Sequence, residues 1–525
     1  MHAESVRWAL LLFALWTCAA AAAPRGRVVV SPGGRTLRFE DGTPFVPLGH
    51  TEAFSFFNQI MNDRATLDRF LAAMHAGGQN LLVVQVENND RHFFGNHPSD
   101  LQFPLGTFHE PIARMFDDLL DLAEQHDIQI VTYLFDTFHM DFAWGESPWN
   151  RANGGPCVYV SDFLRSPAAF ARARATFDYA IRRWGRRRNL LGIELLNEHD
   201  WAVSGPLPGN KDARGHVHGA TLEESRDWHL AMARYVRAAL DAQAGGGARP
   251  LLMSSSNNPN FGRGPDGRPV AAARWFFECP DLDLVAFHGY IWPPPTGDAD
   301  APLDLHAHGP TTDPAHPLDA FGPLVDAVSY LTRNTDKPVL GTEEGPLGWW
   351  IKEPRREPTF PGDDFFFDVM AWSELTAGAA GPGLRWPYPN FGFSGKPFLN
   401  PLSGSMQRTL AAIGATLGLL DLASFAPEHR PDAVKPTEAD VLVSAAGDSH
   451  QLLAWIAADT RRGPVLPRVR ALAVSGLADE PHEVLWIHDR TGVVLARGRT
   501  SGPAFTLSTP RLARSLALVV RPLAK

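Results

Sequence analysis

Cysteine is scarce: three occur in 525 residues, and one of them, Cys18, falls in the leader described below. A disulfide-stapled scaffold is excluded, and at most one bridge, between Cys157 and Cys279, is open to the remainder of the chain. Positive charge is also in deficit. The formal charge of −10 leaves no basic face for a nucleic-acid backbone, and the arginines between Arg182 and Arg188 read as a solvated helix end. There is no solenoid-type repeat. Beyond residue 23 no integral membrane span is expected. What is present is ordinary for a globular protein, 44% hydrophobic and 20% charged, and long enough for a large core with a second domain.

Residues 1–23 carry Arg7, an apolar core from Trp8 to Thr17 and an alanine run at 19–23. This is the pattern of a signal peptide cleaved near Ala22 or Ala23, so a secreted or periplasmic location is expected. Bulky Trp16 just before Cys18 speaks against a lipoprotein site.

Arg27-Val-Val-Val, a Pro-Gly-Gly turn, Thr36-Leu-Arg-Phe and Pro44-Phe-Val-Pro-Leu read as a β-hairpin leading into a first strand, with Gly49-His50-Thr51-Glu52 as the first loop at its end. From there helical periodicity alternates with short apolar runs. Leu67, Phe70, Leu71 and Met74 share one helix face, as do Ile112, Met115, Phe116, Leu119 and Leu120. Ser166-Pro167 starts a further helix, and Thr221 with Glu224 forms a capping box. Eight strand candidates, the last at Gly381 to Trp386, predict a (β/α)8 TIM barrel over residues 24–425. A linker rich in Pro and charge follows at 426–436. Residues 437–525 then show short alternating strands, the pattern of a small all-β sandwich, in which Trp455 and Trp486 are expected to be core.

Two strand ends stand out. Leu190-Leu-Gly-Ile-Glu-Leu-Leu-Asn-Glu198 is a buried parallel strand delivering Asn197 and Glu198 at its carboxyl end, and Lys337-Pro-Val-Leu-Gly-Thr-Glu-Glu-Gly345 does the same for Glu343 and Glu344. Two carboxylates facing each other across a substrate are what a glycosidic bond needs, one as proton donor and one as nucleophile. Side-chain alternation allows only one of Glu343 and Glu344 to point inward.

With these residues the chain resembles the retaining glycoside hydrolases of clan A, closest to family 5 and its cellulase- and mannanase-like enzymes, over roughly residues 35–420. The most specific stretch runs from Trp149-Asn-Arg-Ala-Asn-Gly-Gly-Pro156 through Arg182-Arg-Trp-Gly185 to Glu198. The resemblance implies Glu198 as general acid/base and Glu343 as nucleophile, since Thr342-Glu343-Glu344-Gly345 lines up with the family's Thr-Glu-aromatic-Gly. It further implies that Asn197 bonds the sugar 2-hydroxyl, that His288 lines the subsite, that Tyr290 orients the nucleophile and that Trp386 is an aromatic platform. Carboxyl groups about 5 to 5.5 Å apart are the expectation for retention, with the acid/base raised by the neighbouring negative charge. Asp136, His139, Trp149, Asn153, Trp201, Trp292, Trp349 and Trp350 fall on loops at the same end. Two departures stand out: Gly78-Gln-Asn80 is followed by no arginine on the second strand, and His199 replaces the usual proline after Asn-Glu.

The expected partner is a carbohydrate, cleaved with neither cofactor nor metal. His216-Val-His218 and His306-Ala-His308 prompt a metal-dependent hydrolase as a rival, but neither falls at a strand end. A non-catalytic glycan-binding protein on the same scaffold is the other.

Overall fold

The computed structural model describes residues 25–52, 60–86, 101–204, 211–212, 214–289, 317–345, 362–386, 402–463 and 467–523. The leader at 1–23, Tyr290, Trp292, His306, His308, Trp349 and Trp350 lie outside them.

The chain enters through three short antiparallel strands, β1 (Val28–Val30), β2 (Leu37–Phe39) and β3 (Pro44–Phe45). Parallel strands follow: β4 (Gly49–Glu52), β5 (Leu81–Gln85), β6 (Gln129–Tyr133), β7 (Leu190–Glu194) and β8 (Leu251–Met253) form one sheet in that order, and β9 (Ser255–Ser256), β10 (Val285–His288) and β11 (Val339–Glu343) form the next. Only Ser254 separates β8 from β9. The predicted strand at 381–386 is reduced to a single residue, Arg385, which bridges in parallel to both His50 and Glu344.

Alternation along these strands sorts their side chains into two cores. Leu82, Val84 and Ile130 face the surrounding helices. Leu81, Val83, Val131, Tyr133, Leu191, Met253, Ala286 and Leu340 face inward and meet Phe39 and Phe45 of the opening strands. Since Leu81, Leu191 and Leu251 are early in their strands, the opening strands cover the amino-terminal end and leave the carboxyl end for chemistry. The helices start as their sequences require: Ser166 Oγ accepts from Ala169 N–H at 3.3 Å, and both bonds of the Thr221–Glu224 capping box form.

The chain closes in a six-stranded antiparallel sheet, led by Val441–Gly447, Leu452–Ala458, Pro481–Ile487 and Ser515–Pro522, and a three-stranded one. The stretch expected as a linker contributes strands Glu428–His429 and Val434–Pro436 to them. Leu452, Ala454 and Ile456 face the smaller sheet, where Trp486 is also buried. Leu453, Trp455 and Ala457 face the helices Asp363–Thr376 and Gly404–Leu417. The sheet is thus apolar on both faces, which explains the continuous run Leu-Leu-Ala-Trp-Ile-Ala-Ala. Asp368, buried on the first of those helices, pairs with Arg490 at 3.2 Å and with Arg514.

Trp455 is fully buried in this seam and donates its indole N–H to Asp489 at 2.9 Å. Trp455→Ala should cost about 3–5 kcal/mol through the cavity and the orphaned carboxylate. Chemical denaturation measures it, and a loss under about 1 kcal/mol would mean the seam is not cohesive. Cys157 and Cys279 are both buried and free, so the bridge left open by the sequence is not formed. Among the described residues no helix is long and apolar enough to cross a membrane.

Candidate active site

Glu198 leaves the sheet four residues after β7. Its neighbour Asn197 is held by backbone pairing to Asp136 and by its own N–H to Phe135 O at 2.9 Å. The turn at Glu198 is tight enough to require φ of +49°, a left-handed conformation that a glutamate adopts only where surrounding contacts impose it. Those contacts are present: Thr137 Oγ1 donates to the Glu198 carbonyl, and Glu198 N–H donates to Ser255 Oγ at 3.1 Å. Ser255 Oγ in turn donates to Asn197 Oδ1 at 3.1 Å, which fixes that amide and leaves Nδ2 as the donor it can offer.

The Glu198 carboxyl accepts the Trp201 indole N–H on Oε2 at 2.9 Å and shares a hydrogen bond with His288 Nδ1 through Oε1 at 2.7 Å. Its pKa is raised well above the ordinary 4.5, first by burial and then by the charges of Asp136 and Asp200. The dominant cause is desolvation rather than the facing carboxylate, as the sequence argument had it. Burial thus favours the protonated form of this carboxyl.

Glu343 reaches the same point by an irregularity. Strict alternation from inward Leu340 would turn Glu344 inward too. The register between β10 and β11 slips by one residue after Phe287, however, so that His288 lies opposite Glu343. His288 Nδ1 is 3.7 Å from Glu343 Oε2. One oxygen of Glu198, one of Glu343 and a His288 nitrogen all lie within 4.8 Å of one another. The two glutamates keep 7% and 8% of their surface, against 0% for Glu194 just below, so both retain a little access to solvent. Glu344 turns the other way, against Gly383 and Gly289.

Of the remaining expected residues, Trp386 is buried at the end of the Arg385 segment, its N–H bonded to Glu344 O at 2.8 Å. Trp201 meets Glu198, and Asp136 caps the Thr137–Phe142 helix and pairs with His139 at 2.8 Å. Asn153 donates to the Gly145 and Ser147 carbonyls and holds its loop. Trp149, on a loop as expected, is fully buried against Phe135 and Phe163 and so packs in the core. His216 and His218 both turn to Asp212 on the surface.

Sequence reasoning passed over three groups. Tyr133 faces inward on β6, its hydroxyl pKa raised by burial and by the charges of Asp136, Glu343, Glu194 and Glu198. Glu194 lies inside, accepting the Ser255 N–H at 2.9 Å, with its pKa raised to about 7 by burial. Glu52, at the end of β4, is buried beside His50 Nε2 at 3.3 Å. A lone glutamate inside Leu190–Leu196 was the available signal for Glu194. Among the described residues, Glu198, His288 and Glu343 form a group that could hold a metal ion; Glu198 paired with His288 equally suits a proton donor.

No protein-family model and no curated protein matches the chain in sequence. Solved structures resemble it in fold. A family 5 glycoside hydrolase from Bacteroides vulgatus has a TM-score of 0.58 at 13% identity, over 95% of this chain and 94% of its own. A second structure, described as a glycoside hydrolase, has a TM-score of 0.57 at 14% identity over 95% and 98%. At such identities the likeness shows the fold.

Proposed function

We propose that this protein is a retaining glycoside hydrolase of clan A, family 5-like, that cleaves β-glycosidic bonds of a poly- or oligosaccharide by double displacement. The observation that carries the reading is the convergence of Glu198 and Glu343 on His288, with the two carboxyl oxygens within 4.8 Å. Oxygens that close support the short carboxyl separation of a retaining site, about 5–5.5 Å, over the roughly 6.5–9.5 Å of an inverting one.

Glu343, ionised, attacks the anomeric carbon while Glu198 passes its proton to the leaving oxygen, giving a glycosyl ester on Glu343 and a free alcohol. Glu198, now a carboxylate, takes a proton from water as that water attacks the same carbon; the ester bond breaks and both glutamates return to their first states. One proton across the pair is what the raised Glu198 supplies. Asn197 bonds the 2-hydroxyl, His288 steers the Glu198 carboxyl, Tyr290 orients the nucleophile and Trp386 carries the sugar. The reading extends to a closed (β/α)8 barrel over 24–425 whose eighth strand is the Arg385 segment, a linker at 426–436, a β-sandwich over 437–525 and export directed by residues 1–23.

The test is hydrolysis of aryl β-glycosides and of β-glucan, mannan and xylan, with the anomer first released read by proton NMR. A β-anomer supports retention, and an α-anomer overturns it. Binding without hydrolysis would favour a glycan-binding protein. The same three ligand atoms admit a metal-dependent reading, which loss of activity on chelation and recovery with a divalent ion would favour.

A further inference from the structure

We propose that Glu344 and Glu374 share a single proton in a buried carboxyl pair that fixes the strand end carrying Glu343, which makes Glu374 a positioning residue for the nucleophile. The inference rests on the reading of Glu343 given above and deepens it.

Glu374 comes from the last turn of the Asp363–Thr376 helix and is 0% exposed; Glu344, next to the nucleophile, is 1% exposed. None of their four oxygens meets a nitrogen or hydroxyl donor. They meet each other instead. A methyl group placed on Gly383 would collide with Oε2 of both residues, one on Gly341 would lie 2.5 Å from Glu374 Oε2, and one on Gly289 3.0 Å from Glu374 Oε1. Glycines on β11, just past β10 and on the Arg385 segment thus leave a notch that the two carboxyls fill. Two negative charges so close and so buried exclude each other, so the pair retains one proton.

The surroundings say where it sits. Arg385 is the cation beside Glu344, and it is committed through Nη2 to the buried Asp363 at 2.9 Å. His50, opposite Arg385 on β4, turns its ring to Gln79 and Glu52. The hydrogen bond within the pair favours the charged form of Glu344 and disfavours that of Glu374, and burial raises both. Arg385, bridged to Glu344 at the strand end, favours the charged form of Glu344, so in the proposed pair Glu374 carries the proton and Glu344 accepts it.

The backbone ties this pair to Glu343. Glu344 N–H donates to Leu384 O at 2.9 Å, and Gly289 N–H donates to Glu343 O at 2.7 Å. The Glu344 side chain adds a further anchor to these bonds and to the one from Trp386 N–H to Glu344 O at 2.8 Å. Loss of the shared proton to solvent would put two charges in the notch and drive Glu344, and with it Glu343, out of place.

The test compares the full chain with Glu374→Gln and Glu374→Leu. Glutamine still donates to Glu344 and does not titrate. It should keep kcat within about threefold at acidic pH and move the alkaline limb of kcat to higher pH. Leucine, lacking a donor, should lower kcat roughly 30-fold or more with KM nearly unchanged, the signature of misplacement. Infrared difference spectra on raising the pH should contain a buried protonated-carboxyl band that Glu374→Gln removes, a readout independent of any activity. If the alkaline limbs of parent and Glu374→Gln superimpose, or the band persists, the pair is not the device proposed. If instead a 2-fluoroglycoside labels a residue other than Glu343 in the parent, the nucleophile assignment fails while the infrared result still decides the pair.

Discussion

Glu343→Ala is expected to lower kcat/KM by roughly 10⁵-fold, the order of loss when an enzyme is deprived of its nucleophile. Among the described residues, neither neighbouring carboxyl is placed to replace it. Glu198 is bonded to His288 and Trp201 and holds its proton; Glu344 faces the opposite side of the strand. The fold should survive, because Glu343 borders the cavity and its loss removes a partly buried charge. Azide is small enough to enter the space left by the carboxylate and attack from the face Glu343 occupied, so the variant with added azide should release an α-glycosyl azide. Wild-type protein treated with a 2-fluoro aryl glycoside should carry the sugar on the peptide that contains Glu343. Full activity in Glu343→Ala, or a β-azide from it, would sink the assignment.

What the sequence made legible here, and what it hid, divides along physical lines. The run Leu190 to Leu196 is buried on both sides and ends in polar residues, so a parallel strand with its chemistry at the carboxyl end followed from local pattern alone, and β7 lies there. Capping at Ser166 and Thr221 was equally local. The choice between Glu343 and Glu344 was not, because alternation counted from Leu340 gives the wrong face; the register slip opposite Phe287 is a property of the pairing between β10 and β11. The role of Trp149 was open for a related reason: a loop tryptophan can stack on a sugar or plug the core, and only the packing of Phe135 and Phe163 around it decides. The last strand of the sheet, expected over six residues, survives as one bridge at Arg385, its Gly383 lining the notch beside Glu344 and Glu374 and its Gly381 lying against Pro47. The Pro- and charge-rich stretch at 426–436 looked like a linker by composition, yet short edge strands tolerate both kinds of residue.

Glu198→Gln should show a loss that depends on the leaving group. With an alkyl or sugar leaving group the absent proton costs about 10³-fold, the middle of the range for general acid catalysis, whereas an aryl group acidic enough to depart unaided should lose little in the first step. Azide again separates the roles. In Glu198→Ala it attacks the glycosyl ester from the side vacated by the acid/base and yields a β-glycosyl azide. The pH profile follows in part from the raised pKa of Glu198: as its proton leaves, wild-type activity falls on the alkaline side, and that share of the fall should vanish from Glu198→Gln, leaving the share set by the Glu344–Glu374 proton. The Trp201 N–H bond favours the ionised carboxyl, so Trp201→Phe should raise the pKa further and carry the alkaline limb upward. Stability obeys the same linkage. Because the folded pKa lies above the unfolded one, the contribution of Glu198 is fully present below about 4.5 and is lost as pH rises through the folded value. Glutamine never ionises, so the melting temperature of Glu198→Gln relative to wild type should increase with pH. A difference that stays constant across that range would mean Glu198 is ionised in the folded protein throughout, and it could not then be the acid.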